Sequence, residues 1–329
     1  MSGSAEANPY IIVEGLKKYF PTKAGMLHAV DGVSFSVMKG ETLGLVGESG
    51  CGKSTLGRCL IRLLPSTSGS VLLLDEKSGE YTDVTKVGKS TMKALRKRVQ
   101  IVFQDPYSCL NPRLSVWELI AEPLIVNGMY PDKNGMKARI RELMSIVGLA
   151  ERLENSYPHE LDGGRRQRIG IARSLALNPE FIVLDEPVSA LDVCIQAQIL
   201  NLLNDLQSEF HYTYVFISHN LSVVKHVSDR IAVMYLGKIV ELCGYKELFA
   251  HPSHPYTQAL LSAIPVAKLD ARHDRIILEG DVPSPVEPPE VCRFMGRCHY
   301  ANDACGGISP ELEEFLPAHF VACHRAGNF

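Results

Sequence analysis

Thr42-Leu43-Gly44-Leu45-Val46 runs straight into Gly47-Glu48-Ser49-Gly50-Cys51-Gly52-Lys53-Ser54, and Thr55 follows. The first five residues read as a buried strand, and residues 55–64 as a helix that ends before Pro65. Between them the spacing G-x-x-x-x-G-K-S lets a glycine-rich backbone wrap its N–H groups around phosphate oxygens. The helix N-terminus adds partial positive charge. At this spacing Lys53 reaches the β- and γ-phosphates, and the Ser54 hydroxyl binds magnesium.

Working outward, Phe181-Ile182-Val183-Leu184-Asp185-Glu186 sets two carboxylates at the end of a second buried strand. Asp185 is expected to hold magnesium through water and Glu186 to polarise an attacking water. Phosphoryl transfer requires that division between charge neutralisation and nucleophile positioning. Further strands are expected at 11–16, 33–37, 71–74, 99–103 and 214–217, with helices at 164–177 and 195–208. Such alternation implies a mostly parallel sheet with helices on both faces and ligands beyond the carboxyl ends of its strands. Residues 115–150 carry a 3.6 period without a strand, and read as a helical insertion. Residues 231–235 and 238–242 read as a hairpin around Gly237. After Ala250, prolines accumulate (Pro252, Pro255, Pro265, Pro283), so this part is expected to be a separate, loop-rich appendage.

The whole chain sets bounds on function. Its 329 residues suit one large or two modest domains, and a net charge of −3 gives no electrostatic case for nucleic acid. Residues 1–10 lack a basic segment followed by an apolar core, so no secretory signal is expected. The apolar runs are too short to cross a bilayer, so any membrane spans are expected from other chains. Of nine cysteines, Cys51, Cys59, Cys109, Cys194 and Cys243 are scattered. Cys292, Cys298, Cys305 and Cys323 form C-x₅-C-x₆-C-x₁₇-C, whose four thiolates suit either a [4Fe–4S] cluster or a tetrahedral zinc. His299, His319 and His324 lie nearby and read as surface loop histidines rather than ligands.

Between the two phosphate motifs stands Leu161-Asp162-Gly163-Gly164-Arg165-Arg166-Gln167-Arg168. In this order the motifs resemble those of the ATP-binding cassette (ABC) family across roughly residues 11–242. The resemblance implies an α/β fold: a RecA-like P-loop core with a mainly parallel sheet, an antiparallel β subdomain, a helical subdomain and a small C-terminal extension. The boundaries expected are 1–108 and 164–250 for the ATP-binding core, 109–163 for the helical subdomain and 251–329 for the extension. It implies ATP and Mg²⁺ as ligands, with Gly47, Ser49, Gly50, Cys51, Gly52, Lys53, Ser54 and Thr55 at the phosphates. Gln104 is similar to the residue that senses magnesium and touches membrane subunits, and Asp192 to one that faces a partner ATPase. His219 is similar to the histidine that contacts the γ-phosphate. Phe20 stands where an aromatic stacks on adenine, with Tyr19 as the alternative. Gly163 and Gly164 open a helix expected to donate N–H groups to ATP held by the partner.

Two departures mark that signature: Asp162 stands for the family's serine and Arg165 for its glutamine. A carboxylate about 4 Å from a phosphate charge costs on the order of 4 kcal/mol at intermediate dielectric. Arg165 is expected to draw Asp162 aside, and a heterodimer with a sister ATPase would suit such an unequal site; a tolerated variant typical of one subfamily is the alternative. Asp105-Pro106-Tyr107, Leu110-Asn111-Pro112-Arg113, Tyr157-Pro158-His159-Glu160-Leu161 and His254-Pro255-Tyr256-Thr257 resemble oligopeptide and dipeptide importer ATPases. This implies import of peptides from a peripheral site on the cytoplasmic side of the cell membrane. The partners implied are a sister ATPase, two transmembrane permeases and an extracellular substrate-binding protein. The same resemblance implies an iron–sulfur cluster at the four cysteines, with zinc as the alternative. Relatives of this machine carry nickel, glutathione or sugars, and soluble non-transport ABC ATPases form the alternative class.

Overall fold

A computed structural model describes residues 8–130, 132–264 and 275–327; of the positions read above, residues 1–7 and Pro265 lie outside them. In chain order the elements begin β1 (Ile11–Thr22), β2 (Gly25–Val37), β3 (Thr42–Val46), α1 (Lys53–Leu60), β4 (Ser68–Asp75), β5 (Glu80–Asp83), α2 (Lys89–Arg98) and β6 (Val99–Val102). Then come α3 (Pro106–Cys109), α4 (Val116–Val126), α5 (Lys133–Ile146), α6 (Gly163–Leu175), β7 (Phe181–Asp185), α7 (Val193–Phe210) and β8 (Thr213–Ser218). The chain continues through α8 (Leu221–Val227), β9 (Arg230–Tyr235), β10 (Lys238–Gly244), α9 (Tyr245–Ala250), α10 (Pro255–Ser262), β11 (Glu313–Leu316) and β12 (His319–Val321). It divides into two compact units, Met1–Lys86 with Phe216–Phe329, and Val87–Val215.

The first unit holds an antiparallel sheet in the order β2-β1-β4-β5. Alternate residues Ile11 and Val13 face inward and pair with Val37 and Phe35 on one side and Leu73 and Val71 on the other. Elsewhere in this unit β3 pairs in parallel with β9, Leu43 opposite Arg230 and Val46 opposite Val233. All five residues of β3 are buried, as a strand covered on both faces requires. β9 turns into β10 through Leu236 and Gly237, both at positive φ (42° and 82°). Their twist is the one that suits a two-residue hairpin.

The expected separate appendage is not separate. β12 pairs antiparallel with β10, Glu241 opposite Val321, and β11 pairs with β12. Residues 285–287 run along β2, His28 N–H donating to the Pro285 carbonyl and Glu287 N–H to that of Met26. The tail therefore completes the first unit, adding antiparallel strands beyond β10 to the sheet that holds the parallel β3–β9 pair.

In the second unit β6 and β7 are parallel, Val99 opposite Phe181. Arg98 forks onto Glu180 at 3.0 and 2.9 Å, which fixes the entry to both strands. The expected helical insertion is α4 and α5. Ser115 and Glu118 form a capping box at α4, and Asp132 caps α5. Among the described residues no helix is long and apolar enough to cross a membrane.

Candidate functional site

In the first unit β3 delivers Gly47 and α1 starts at Lys53. Gly47 and Gly52 sit at φ 154° and 106°, and a Cβ at Gly52 would lie 1.9 Å from the Ala29 carbonyl oxygen. Only glycine fits there. Gly52 is also the N-cap of α1 and brings no side chain to compete for the first-turn amides. Lys53 is buried and arches back over the loop, its Nζ donating to the carbonyls of Gly47 (2.8 Å) and Glu48 (2.9 Å). Ser54 and Thr55 follow, half-buried.

Two residues outside the expected set hold this loop. Glu48 N–H donates to the Tyr256 hydroxyl at 2.9 Å, and the Glu48 carboxylate accepts from both terminal nitrogens of Arg297, at 2.9 and 3.3 Å. Tyr256 lies in the first turn of α10, where His254 Nδ1 accepts from the Tyr256 N–H at 3.0 Å. Burial pushes His254 down to about 3, which keeps it neutral and able to accept. The tyrosine ring packs against Tyr235 and Phe294, with centroids 4.7 and 5.5 Å away.

The two aromatics offered for adenine, Tyr19 and Phe20, have different surroundings. Tyr19 stacks on His28 at 3.9 Å and its hydroxyl donates to Asp31. Burial works to raise the Asp31 carboxyl, but hydrogen bonds from Tyr19 and His28 and the Arg293 charge outweigh it and hold the group at about 2. Phe20 is half-buried, with Lys18 Nζ 4.7 Å from its ring centroid. His219 is exposed just after β8, beside Asn220, which caps α8.

In the second unit Asp185 ends β7 and is 1% exposed. Glu186 follows at φ 49°. Its turn is fixed by Ser189, whose N–H and hydroxyl both donate to the Glu186 carbonyl (3.2 and 3.1 Å). Gln104 Nε2 donates to Glu186 Oε2 at 3.0 Å, so two expected site residues touch. Asp192 caps α7 by accepting from Ile195 N–H at 3.0 Å. Asp162 caps α6 in the same way, accepting from Arg165 N–H at 2.8 Å, while Arg165 Nε lies 3.5 Å from its other oxygen. The aspartate thus keeps the capping work of a serine, and the two departures form one local pair. A Cβ at Gly164 would lie 2.6 Å from Ile195 Cγ2, so glycine lets α6 open tight against the start of α7.

Cys292, Cys298, Cys305 and Cys323 line one small cavity in the first unit. Burial pushes the Cys292 thiol up to about 11 and raises Cys298 and Cys323 as well. His299 and His324 are exposed, as expected, but His319 is not: it is 1% exposed and its Nε2 lies 2.8 Å from Glu241 Oε1. Cys243, Glu241 and His319 bring donor atoms within 4.8 Å of one another. Glu241 is already satisfied there by Ser253 N–H and His254 N–H, so this is a hydrogen-bonded knot behind α10.

Residues 30–189 match the family described as ABC transporter, and residues 240–305 the one described as Oligopeptide/dipeptide transporter, C-terminal region. The oligopeptide transport ATP-binding protein AppF of Bacillus subtilis (strain 168) is 51% identical over 97% of this chain and 98% of its own length. The chain belongs to the ABC transporter ATP-binding family. The putative oligopeptide transport ATP-binding protein YkfD of the same organism is 49% identical over 97% of this chain and 96% of its own. The dimeric post-hydrolysis structure of the ATP-binding cassette MJ0796 bound to ADP and Pi matches with a TM-score of 0.63 at 27% identity. It covers 71% of this chain and 98% of that one. As an ABC ATPase, the chain works with ATP and Mg²⁺. Its residues suit them, since the loop at 47–54 offers amides and a cation, and the hydroxyl of Ser54 and the carboxylate of Asp185 are hard oxygen donors.

Proposed function

We propose that this ABC ATPase drives import of di- and oligopeptides while bound peripherally at the cytoplasmic side of the cell membrane. The observation that carries the reading is the identity to oligopeptide transport ATP-binding proteins along the cassette and the tail together. The division into core (1–108 and 164–250), helical subdomain (109–163) and extension (251–329) belongs to the same proposal.

In this mechanism the amides of Gly47 and of residues 49–55 wrap the phosphates and Lys53 neutralises their β- and γ-oxygens. Ser54, Gln104 and Asp185 would hold magnesium, which would supply further neutralisation of the phosphate charge. Phe20 stacks on the adenine. Glu186 accepts a hydrogen bond from the attacking water and aims its oxygen at the γ-phosphorus, and His219 meets the γ-phosphate as the bond to ADP breaks. The N–H groups opening α6 at Gly163 and Gly164 face ATP held by a sister ATPase, with Asp192 on the same face. ATP then closes the pair and hydrolysis releases it. Two permeases convert that motion into transport of cargo delivered by an extracellular binding protein. Exposed Tyr107, Ile125 and Val126 on the second unit offer the apolar surface such a membrane partner needs.

For the four cysteines we favour a [4Fe–4S] cluster over zinc. They share one cavity, and their spacing lacks the tight C-x₂-C pairs common in zinc ribbons. Buried thiols raised by their surroundings become thiolates when a cationic centre binds.

The test is reconstitution in vesicles with two peptide-importer permeases, a sister ATPase and a peptide-binding protein. Peptide should stimulate both ATP hydrolysis and uptake. Stimulation by nickel or glutathione and not by peptide would replace the cargo, and failure to associate with any membrane subunit would replace the class.

A further inference from the structure

The segment Cys292-Arg293-Phe294-Met295-Gly296-Arg297-Cys298 places an arginine beside each of two cysteines of the cavity. Both arginines turn away from the cavity into the first unit. Arg293 donates to the Leu236 carbonyl and to Asp31, and Arg297 forks onto Glu48. Between them Phe294 is buried, edge-on to Tyr235 at 5.3 Å and tilted against Tyr256. The Glu48 carbonyl in turn accepts from Lys53 Nζ. A continuous path of contacts therefore runs from Cys298 through Arg297 and Glu48 to Lys53.

We propose that Arg297 is a positioning residue of the phosphate site, and that the cysteine centre sets nucleotide affinity by fixing the ends of the 292–298 segment. The proposal rests on the reading of 47–54 as the phosphate site. Two physical effects support it. The loop has glycines at positive φ at 47, 50 and 52, so its free backbone has much entropy to lose on binding. Gripping Glu48 by its N–H through Tyr256 and by its carboxylate through Arg297 removes part of that cost beforehand. Glu48 also places a negative charge in the loop that must receive a polyanion, and Arg297 neutralises it with a fork only a guanidinium provides.

The experiment is equilibrium binding of MgATP to the full-length chain. Arg297→Ala should raise Kd about tenfold, the scale of one charge-assisted hydrogen bond, and Arg297→Lys should recover part of the loss. In a Glu48→Gln background Arg297→Ala should change Kd by less than about twofold, which a general weakening of the fold would not reproduce. Cys298→Ser should raise Kd in the wild-type chain and have no further effect beside Arg297→Ala. Normal affinity in Arg297→Ala, with binding abolished by Lys53→Ala, would overturn the proposal and leave the phosphate site standing. Additive effects of Cys298→Ser and Arg297→Ala would overturn the link to the cysteines. Normal affinity in Lys53→Ala would remove the phosphate-site reading itself.

Discussion

Replacing His254 by asparagine should flatten the acid side of the stability profile. The imidazole is 2% exposed and caps α10 through Nδ1, which must stay unprotonated to accept from Tyr256 N–H. Its value is pushed from 6.5 to about 3 by burial. The sign follows from proton counting. Above pH 6.5 neither state binds the proton and the group contributes no pH dependence. Below it the unfolded chain takes the proton and the folded chain does not, so stability falls until about pH 3. The slope is about 1.4 kcal/mol per pH unit, which amounts to about 2 kcal/mol at pH 5. Asparagine caps helices well and does not titrate in this range. Amide exchange of a peptide covering α10 should therefore show the wild-type opening about thirtyfold more often at pH 5 than at pH 7, after correction for intrinsic rates. The variant should show little of this change. Parallel profiles for the two proteins would refute the assignment of a buried neutral cap.

Glu186→Gln keeps an acceptor for Gln104 and should lower hydrolysis by about 10²- to 10⁴-fold with nucleotide affinity intact; near-normal phosphate release would move the water-polarising role elsewhere. Asp162→Ala should cost about 1 kcal/mol through loss of the α6 cap, while Asp162→Ser should cost much less in urea unfolding. If Asp162→Ser leaves ATPase activity of the assembled transporter unchanged, the carboxylate exerts no repulsion on the phosphates. Protein purified without oxygen should be brown and carry iron with acid-labile sulfide; a colourless protein with one zinc per chain would exclude the cluster.

The elements most legible in the sequence are those with strong local signals. Thr42–Val46 was readable to the residue, because a short apolar run ending in a glycine turn has few other solutions. The hairpin around Gly237 is legible from its glycine turn, and the insertion at 115–150 from its 3.6 period, though not the bounds of its helices. β5, α2 and α8 are not: β5 and α8 are too short to show a period, and α2 buries only Met92 and Leu95. β11 and β12 hid in a proline- and cysteine-rich stretch. Their pairing is decided by β10, more than seventy residues earlier, and no local pattern announces it. For the candidate site, motif spacing points to Lys53, Asp185 and Glu186, and the family resemblance to Gln104. Spacing does not point to Tyr256 or Arg297, whose contact with Glu48 spans 208 and 249 residues. The string His254-Pro255-Tyr256-Thr257 resembles the family pattern, and physically it is a neutral cap that seats a hydroxyl under the loop.

The parallel pairing of β3 with β9 fixes an order of events during synthesis. Val46 leaves the ribosome about 190 residues before Tyr235, which at about 5–20 residues per second is a wait of about 10–40 s. Throughout that interval a strand that ends up fully buried has no partner from the far end of its own unit. A nascent chain of this design has to be shielded from other sticky strands until its second half arrives, so slowed translation between the two should lower the yield of soluble protein.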